Sequence, residues 1–466
     1  MAKKRMHIWL SLMVLGVGLV MAAIAGLWIY MSATAFPLHP NPQEVPSVTQ
    51  SDPSPGWAEA VASARQIVRA DITGQNLPGL SVAVGIGGEI VWAEGFGWEN
   101  YETRVPVKPD TRFKIGTASV ALTSAAAGLL LERGRLKLDD EIQTYVPEFP
   151  KKEWPVTLRQ LMGHVAGVRN DSGDEGPFGE HCDRTVEGLK LFAESSLLFE
   201  PGTRFRFSSF GWILVSAAIE AAANEPLLAF MRRQIIEPLG MTDTKPDSAT
   251  EPVPNLATSY FPRFAADPRY GYQLARDPDS PLDFSCYAGA NIFVSTPSDL
   301  VRFGMAVNGR LRQGFGVPGV ALLQPATVEL LQTSQRLPSG EETGYGLGWD
   351  LEPVALSGQP TVVVGHDGTV MGGMAATLMT FRERGIVVSV ISNTSYADTF
   401  AIAVKVAEAF AEQRKATRRG HAATIAHRSG SSDVSRSTSA RSLGRPLAFL
   451  LAMSAARPRN RTGTAP

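Results

Sequence analysis

The chain has 466 residues, 44% hydrophobic and 19% charged, with a net charge of −1. That length and balance suit one large globular domain, or a core domain with an inserted lobe. No overall basic excess and no nucleic-acid-binding motif is present, so no nucleic-acid partner is expected.

Lys3, Lys4 and Arg5 precede a nearly uncharged run of 24 residues, Ile8 to Met31, followed by Ser-Ala-Thr-Ala-Phe-Pro. About 20 apolar residues suffice to span a hydrocarbon core. The three cations favour a cytoplasmic N-terminus with the bulk of the chain exported. Two readings stand: a signal anchor, with the domain extracytoplasmic (periplasmic), or a signal peptide cut near Ala35, with the domain secreted. Residues 1–36 form this segment, and residues 37–56, rich in Pro and polar residues, read as a linker holding the domain off the membrane.

A domain is expected over residues 57–412. Trp57, Val61, Ala64, Ile67 and Val68 share one helical face. Leu80–Ile86 and Glu89–Gly95 alternate apolar residues around Gly87-Gly88, a hairpin signal. A helix from about Ala118 to Arg133 is closed by Gly134. Thr157 with Gln160 makes a capping box that opens a helical middle, and Gly211–Ala223 and Leu227–Ile236 read as further helices. Ser295-Thr296-Pro297-Ser298-Asp299 is another helix start. Short strands are expected at Tyr345–Leu351, Thr361–Gly365, Gly373–Phe381 and Ile386–Ser392, then a last amphipathic helix, Ala397–Glu412. The fold class is therefore α+β: one antiparallel sheet flanked by terminal helices, with a helical lobe over about residues 150–300.

Cys182 and Cys286 are the only cysteines. An exported location permits a disulfide, but the sequence alone cannot place their Cα atoms within bonding distance, and two separate thiols are favoured. His181 beside Cys182 reads as a loop His next to a small buried thiol. From Arg414 to Pro466 eleven Lys and Arg face one acid, Asp433, a net +10. Residues 413–466 read as a basic disordered tail.

Residues 113–123 read Phe-Lys-Ile-Gly-Thr-Ala-Ser-Val-Ala-Leu-Thr. With Leu77–Val84, Leu158–His164, Pro201–Thr203, Glu237–Met241, Ser295–Leu300, Gly344–Trp349 and Gly365–Gly368, this order of segments resembles the serine beta-lactamase and penicillin-binding-protein superfamily. The similarity spans about Gln75 to Glu412. It is strongest to the class C and esterase-like branch, near the mitochondrial serine beta-lactamase-like proteins. The resemblance implies a beta-lactamase/transpeptidase-like fold and an acyl-enzyme hydrolase acting on peptide, ester or beta-lactam bonds.

The family's three catalytic elements map onto this chain unevenly. Ser-x-x-Lys reads Thr117-Ala-Ser-Val120. Thr117 keeps a hydroxyl with a stiffened χ1, and Val120 cannot accept a proton. Tyr-x-Asn reads Phe207-Ser-Ser, which removes the phenol. His-x-Gly survives as His366-Asp367-Gly368, and the backbone N–H groups of Thr117 and Thr369 are the expected oxyanion hole.

The sequence therefore predicts a catalytically impaired member of the superfamily. The alternative is an active serine-type hydrolase or peptidase using Thr117 or Ser119. Ser119 lies two residues along the helix and points about 200° away from Thr117. Lys114 reads as an exposed strand-end lysine and His164 as a buried structural histidine. No cofactor or metal is expected, and the expected partners are a membrane and a peptide, ester or lactam ligand. Loops 171–184 and 251–279 are expected to set ligand specificity.

Overall fold

Strands from the two ends of the chain pair with each other, and that pairing positions everything else. The structure, a computed structural model, describes residues 2–52, 55–170, 180–248, 251–263, 268–274, 283–308, 321–370 and 373–430. The chain divides into two units, Met1–Ala416 and Thr417–Pro466; the first holds the domain described below.

In chain order its elements begin with α1 (Ala2–Ala33), β1 (Ser47–Thr49), α2 (Ala58–Gln75), β2 (Gly79–Ile86), β3 (Glu89–Asn100), β4 (Val105–Pro106) and β5 (Phe113–Lys114). After a 3₁₀ turn, Gly116–Ala118, come α3 (Ser119–Glu132), α4 (Leu158–Met162), α5 (Ser209–Ala223) and α6 (Leu227–Met231). Short strands β6 (Lys245–Pro246), β7 (Tyr260–Pro262), β8 (Tyr272–Leu274) and β9 (Phe293–Ser295) lead into α7 (Pro297–Val307) and α8 (Pro325–Leu331). The chain then forms β10 (Asp350–Leu356), β11 (Gln359–Val370), β12 (Met374–Phe381), β13 (Ile386–Ser392) and α9 (Thr399–Gly430).

The main sheet runs β1-β3-β2-β13-β12-β11-β10 with β4 added to β3, and every pairing is antiparallel. Side chains alternate between its faces, as the period of two requires. Leu80, Val82 and Val84 of β2 and Ile386, Val388 and Val390 of β13 meet Val61 and Val68 of α2 and Val406 and Phe410 of α9. Ala83, Val387 and Ile391 face the other way, into a core shared with α3, α5 and α7. Burying each such aliphatic side chain stabilises the fold by about 1.5–3 kcal/mol.

The α+β architecture expected from the sequence is present. Thr157 and Gln160 form the capping box in both directions. Thr296 caps α7, with Pro297 at its first turn.

Four expectations are corrected. The strand placed at Tyr345–Leu351 starts later, at Asp350, because Gly344 (φ 70°) and Gly348 (φ 94°) turn the preceding segment into a loop. Residues 37–49, read as a spacer, are docked: Leu38 and Val45 are buried and β1 pairs with β3. The last helix continues past Glu412 to Gly430, into the segment read as a disordered tail. The rest of that tail, 431–466, lies outside the described residues.

The fourth correction concerns the cysteines, which form a disulfide, Cys182–Cys286, with Cα atoms 4.9 Å apart. A turn at Thr185–Leu191 brings them together, held so close that a Cβ on Gly188 would lie 2.4 Å from the Cys286 carbonyl oxygen. The Cys182 N–H donates to Ser285 Oγ at 2.9 Å. His181 turns to carboxylates, with Nδ1 2.8 Å from Asp283 and Nε2 3.3 Å from Asp183.

Candidate active site

Backbone meets backbone where β11 crosses the start of α3. A Cβ on Gly368 would fall 2.0 Å from the Ile115 carbonyl oxygen and 2.4 Å from the Ala118 nitrogen. Gly116, at φ 57°, would likewise strike the Thr369 carbonyl oxygen at 2.5 Å. Only glycine accommodates both the approach and the left-handed conformation. These two residues bring the turn Gly116–Ala118 against Gly368–Thr369, the pair of segments expected to supply the oxyanion N–H groups.

Thr117 lies in that turn and is 7% exposed. Its hydroxyl donates to the Asp367 carbonyl at 3.2 Å. Val120 is completely buried and belongs to the hydrophobic core between α3 and its neighbours. Ser119 is also completely buried, on the far side of the helix, where its Oγ accepts the Phe293 N–H of β9 at 3.3 Å. Lys114 points to Asp247, 2.7 Å away, with its ammonium over the Phe284 ring.

Two imidazoles, His366 on β11 and His164 just after α4, both pack against Tyr345. His366 Nδ1 is 2.6 Å from the Asp367 carbonyl oxygen, which can only accept, so this nitrogen carries the proton. With the proton on Nδ1 alone, Nε2 accepts the hydroxyl of Tyr345, 2.9 Å away. Both side chains are buried. Burial, and secondarily the charge of Asp350, pushes the Tyr345 phenol well above its ordinary range.

His164 packs at a tilt against Phe207, with ring centroids 4.3 Å apart, and against Tyr345 at 4.7 Å. Its Nδ1 accepts the Ser208 N–H at 3.0 Å, which leaves the proton on Nε2. That Nε2–H is buried with no hydrogen-bond partner among the described residues. Burial, reinforced by the neighbouring His366, holds the imidazole pKa well below 6.5, so the ring is neutral. His164 also sits at φ 57°, a conformation that costs a non-glycine residue about 1–2 kcal/mol.

Tyr345 is the site residue that reading the motifs missed. Its loop is fixed on α3: Trp349 Nε1 donates to Ser124 Oγ at 3.0 Å, and Ser124 Oγ donates to the Leu347 carbonyl at 2.6 Å. The signal available in the sequence was an aromatic between two glycines in Gly344-Tyr345-Gly346, a spacing better suited to a loop than to a strand.

Thr117, Gly368 and Thr369 thus meet at the start of α3, Phe207 connects to His366 through His164 and Tyr345, and Ser119 faces away. Of the loops expected to set specificity, residues 171–179, 264–267 and 275–279 lie outside the described residues. Among the described residues no cluster of His, Cys, Asp and Glu could hold a metal ion.

Comparison with known proteins accords with this geometry. A family profile described as Beta-lactamase matches residues 64–412. The mitochondrial serine beta-lactamase-like protein LACTB of Homo sapiens is 26% identical over 453 residues, covering 77% of this chain and 81% of that protein. Among solved structures, the D-amino acid amidase from Ochrobactrum anthropi SV3, complexed with L-phenylalanine amide, superposes with a TM-score of 0.62 at 22% identity. That match covers 76% of this chain and 99% of the other. The octameric penicillin-binding protein homologue from Pyrococcus abyssi gives 0.58 at 24% identity, covering 74% and 76%. At these identities the structural matches speak for the fold.

Proposed function

The chain belongs to the beta-lactamase family, and from that premise we propose that it is a membrane-anchored, extracytoplasmic member whose site binds an acyl ligand and does not turn it over. One observation carries the reading: among the described residues of the site, both imidazole lone pairs are engaged elsewhere and neither is directed at the Thr117 hydroxyl. The Thr117 hydroxyl donates to a backbone carbonyl, and the position one turn along, Val120, is sealed in the core. His366 spends its lone pair on the Tyr345 hydroxyl, and His164 spends its own on the Ser208 N–H. General base catalysis is typically worth about 10²–10⁴-fold, and nucleophile and base act as a unit.

The ligand class follows from the family: a peptide, an ester or a lactam, with its carbonyl oxygen against the Thr117 and Thr369 N–H groups. The 25-residue apolar helix Trp9–Ala33 supports anchoring, and the Cys182–Cys286 bridge supports an oxidising, extracytoplasmic setting.

A second reading has one observation in its favour. The phenol lost at Phe207 has a counterpart in Tyr345, which an active enzyme would pair with Thr117. The Tyr345 hydroxyl, held above its ordinary pKa range, is a poor base at neutral pH. The test is hydrolysis of a chromogenic ester, a cephalosporin and a D-amino acid amide by the purified chain and by Thr117→Ala. Equal background rates support the proposal. Turnover that disappears in Thr117→Ala contradicts it.

A further inference from the structure

The segment joining the apolar helix to the domain is a clasp, not a spacer. Helical hydrogen bonding continues beyond Ala33: the Thr34 N–H donates to the Tyr30 carbonyl at 3.0 Å and the Ala35 N–H to Ser32 at 3.4 Å. At Leu38 the chain is already fixed, its N–H donating to Asn76 Oδ1 at 2.7 Å. Asn76 also donates from Nδ2 to the Phe36 carbonyl at 3.2 Å and to the Pro268 carbonyl at 2.9 Å. One side-chain amide therefore grips the backbone on both sides of Pro37. It is aimed there because Asn76 ends α2 in the left-handed conformation, φ 52°.

Beyond the clasp, Leu38 is buried against Tyr260 and Tyr272 of the β7–β8 hairpin. His39 Nε2 lies 3.2 Å from the Pro78 carbonyl oxygen. Only Phe36 and Pro37, three Cα-to-Cα steps, separate the last helical donor, Ala35, from the docked Leu38. Fully extended, they reach about 10 Å.

A helix spanning a bilayer on so short a tether fixes which side of the domain faces the lipid. We propose that the C-terminal end of α2 is the surface by which the domain rests on the bilayer. The occupant is the lipid around this chain's own anchor, and the argument is the tether length. The exposed apolar residues there fit an interfacial setting: Phe36 is 54% exposed and Tyr396 43%. Tyr396 packs edge-on against Phe261, and the nearby Asp398 N–H donates to Gln75 Oε1, one residue before the clasp. Aromatic side chains with one wet edge favour the headgroup region. The same face adjoins the active-site strand, because Gly373, just beyond β11, abuts the Tyr260 backbone so closely that a Cβ would lie 2.5 Å from its carbonyl oxygen.

This inference rests on reading α1 as an anchor, and the experiment separates the two claims. The native cysteines are bridged, so single cysteines introduced into the full chain can be labelled selectively with an environment-sensitive fluorophore. Reporters go at Leu15 in α1, at Tyr396 and Phe36 on the proposed face, and at Val362. Val362 is 50% exposed and lies eight residues down β11 from Val370, about 26 Å away. The chain is reconstituted into phosphatidylcholine–phosphatidylglycerol vesicles carrying nitroxide-labelled headgroups or acyl chains. The expected result is acyl-chain quenching at Leu15 and headgroup quenching at Tyr396 and Phe36 several-fold above that at Val362.

Quenching at Leu15 with Tyr396 and Phe36 no different from Val362 would overturn the docked face while leaving the anchor intact. No quenching at Leu15 would remove the anchor and this proposal with it. Asn76→Gly keeps the left-handed cap and deletes the clasp. Quenching at Tyr396 should then fall toward the Val362 level, and unchanged quenching would contradict the clasp.

Discussion

The phenolic hydroxyl of Tyr345 lies 2.9 Å from Nε2 of His366, with both side chains buried. With the Nδ1 proton held by the Asp367 carbonyl, this contact occupies the one lone pair the His366 ring has to offer. The inertness proposed for the site therefore rests on how its residues are bonded as well as on which residues stand at the motif positions.

Tyr345→Phe leaves His366 Nε2 buried without a donor. A stranded buried polar group costs about 1–3 kcal/mol. Urea denaturation should show the midpoint falling by the corresponding amount with an unchanged slope. Stability equal to that of the parent would mean the hydrogen bond contributes nothing.

His164 gives stability a definite pH dependence. In the unfolded chain the imidazole takes up a proton near pH 6.5; in the folded chain burial and the neighbouring His366 defer that uptake to lower pH. Below about pH 6.5 the unfolded state therefore binds more protons, and stability falls as pH falls, by up to about 1.4 kcal/mol per unit. His39, whose pKa burial also lowers, adds to the loss in the same window. His164→Asn tolerates the left-handed backbone and can still accept the Ser208 N–H. Denaturation curves between pH 5 and 7 should be shallower in pH for this variant than for the parent; identical pH profiles would remove His164 as a source.

The Cys182–Cys286 bridge joins residues 104 apart in sequence. Closing a loop of that size typically stabilises a domain by about 2–5 kcal/mol. Thermal melts with and without reductant, and of Cys182→Ser with Cys286→Ser, should show a matching loss. A melting temperature indifferent to reductant would indicate two unbridged thiols.

Restoring the lost chemistry is a stringent test. Thr117→Ser, Val120→Lys and Phe207→Tyr together should yield ester hydrolysis measurably above the parent. Val120→Lys alone should be destabilised, because it places an ammonium group at a fully buried core position. A folded but inert triple variant would show that more than these three side chains has been lost.

The elements that could be read from the sequence share one property: their signals are local. The Gly87-Gly88 hairpin, the Thr157–Gln160 box and the Thr296 cap each depend on a few consecutive residues. The Thr117, Phe207 and His366 positions could be proposed from the sequence because each sits inside a short motif.

Tyr345 was not legible. Its alternation with Leu347 and Trp349 imitates a strand, and its partner His366 is reached only through Ser124, which pins the loop to α3. The disulfide likewise depends on how Thr185–Leu191 packs against Ser285–Tyr287, which no spacing encodes. The clasp was hidden by composition: a Pro-rich stretch reads as a spacer until Asn76, 38 residues away from Leu38, takes hold of it.

Intact-mass analysis of the purified full chain after incubation with a fluorescent penicillin and with a fluorophosphonate tests the central claim most directly. The proposed absence of a base for Thr117 predicts the unmodified mass with both reagents. A stoichiometric adduct mapped to Thr117 would contradict it.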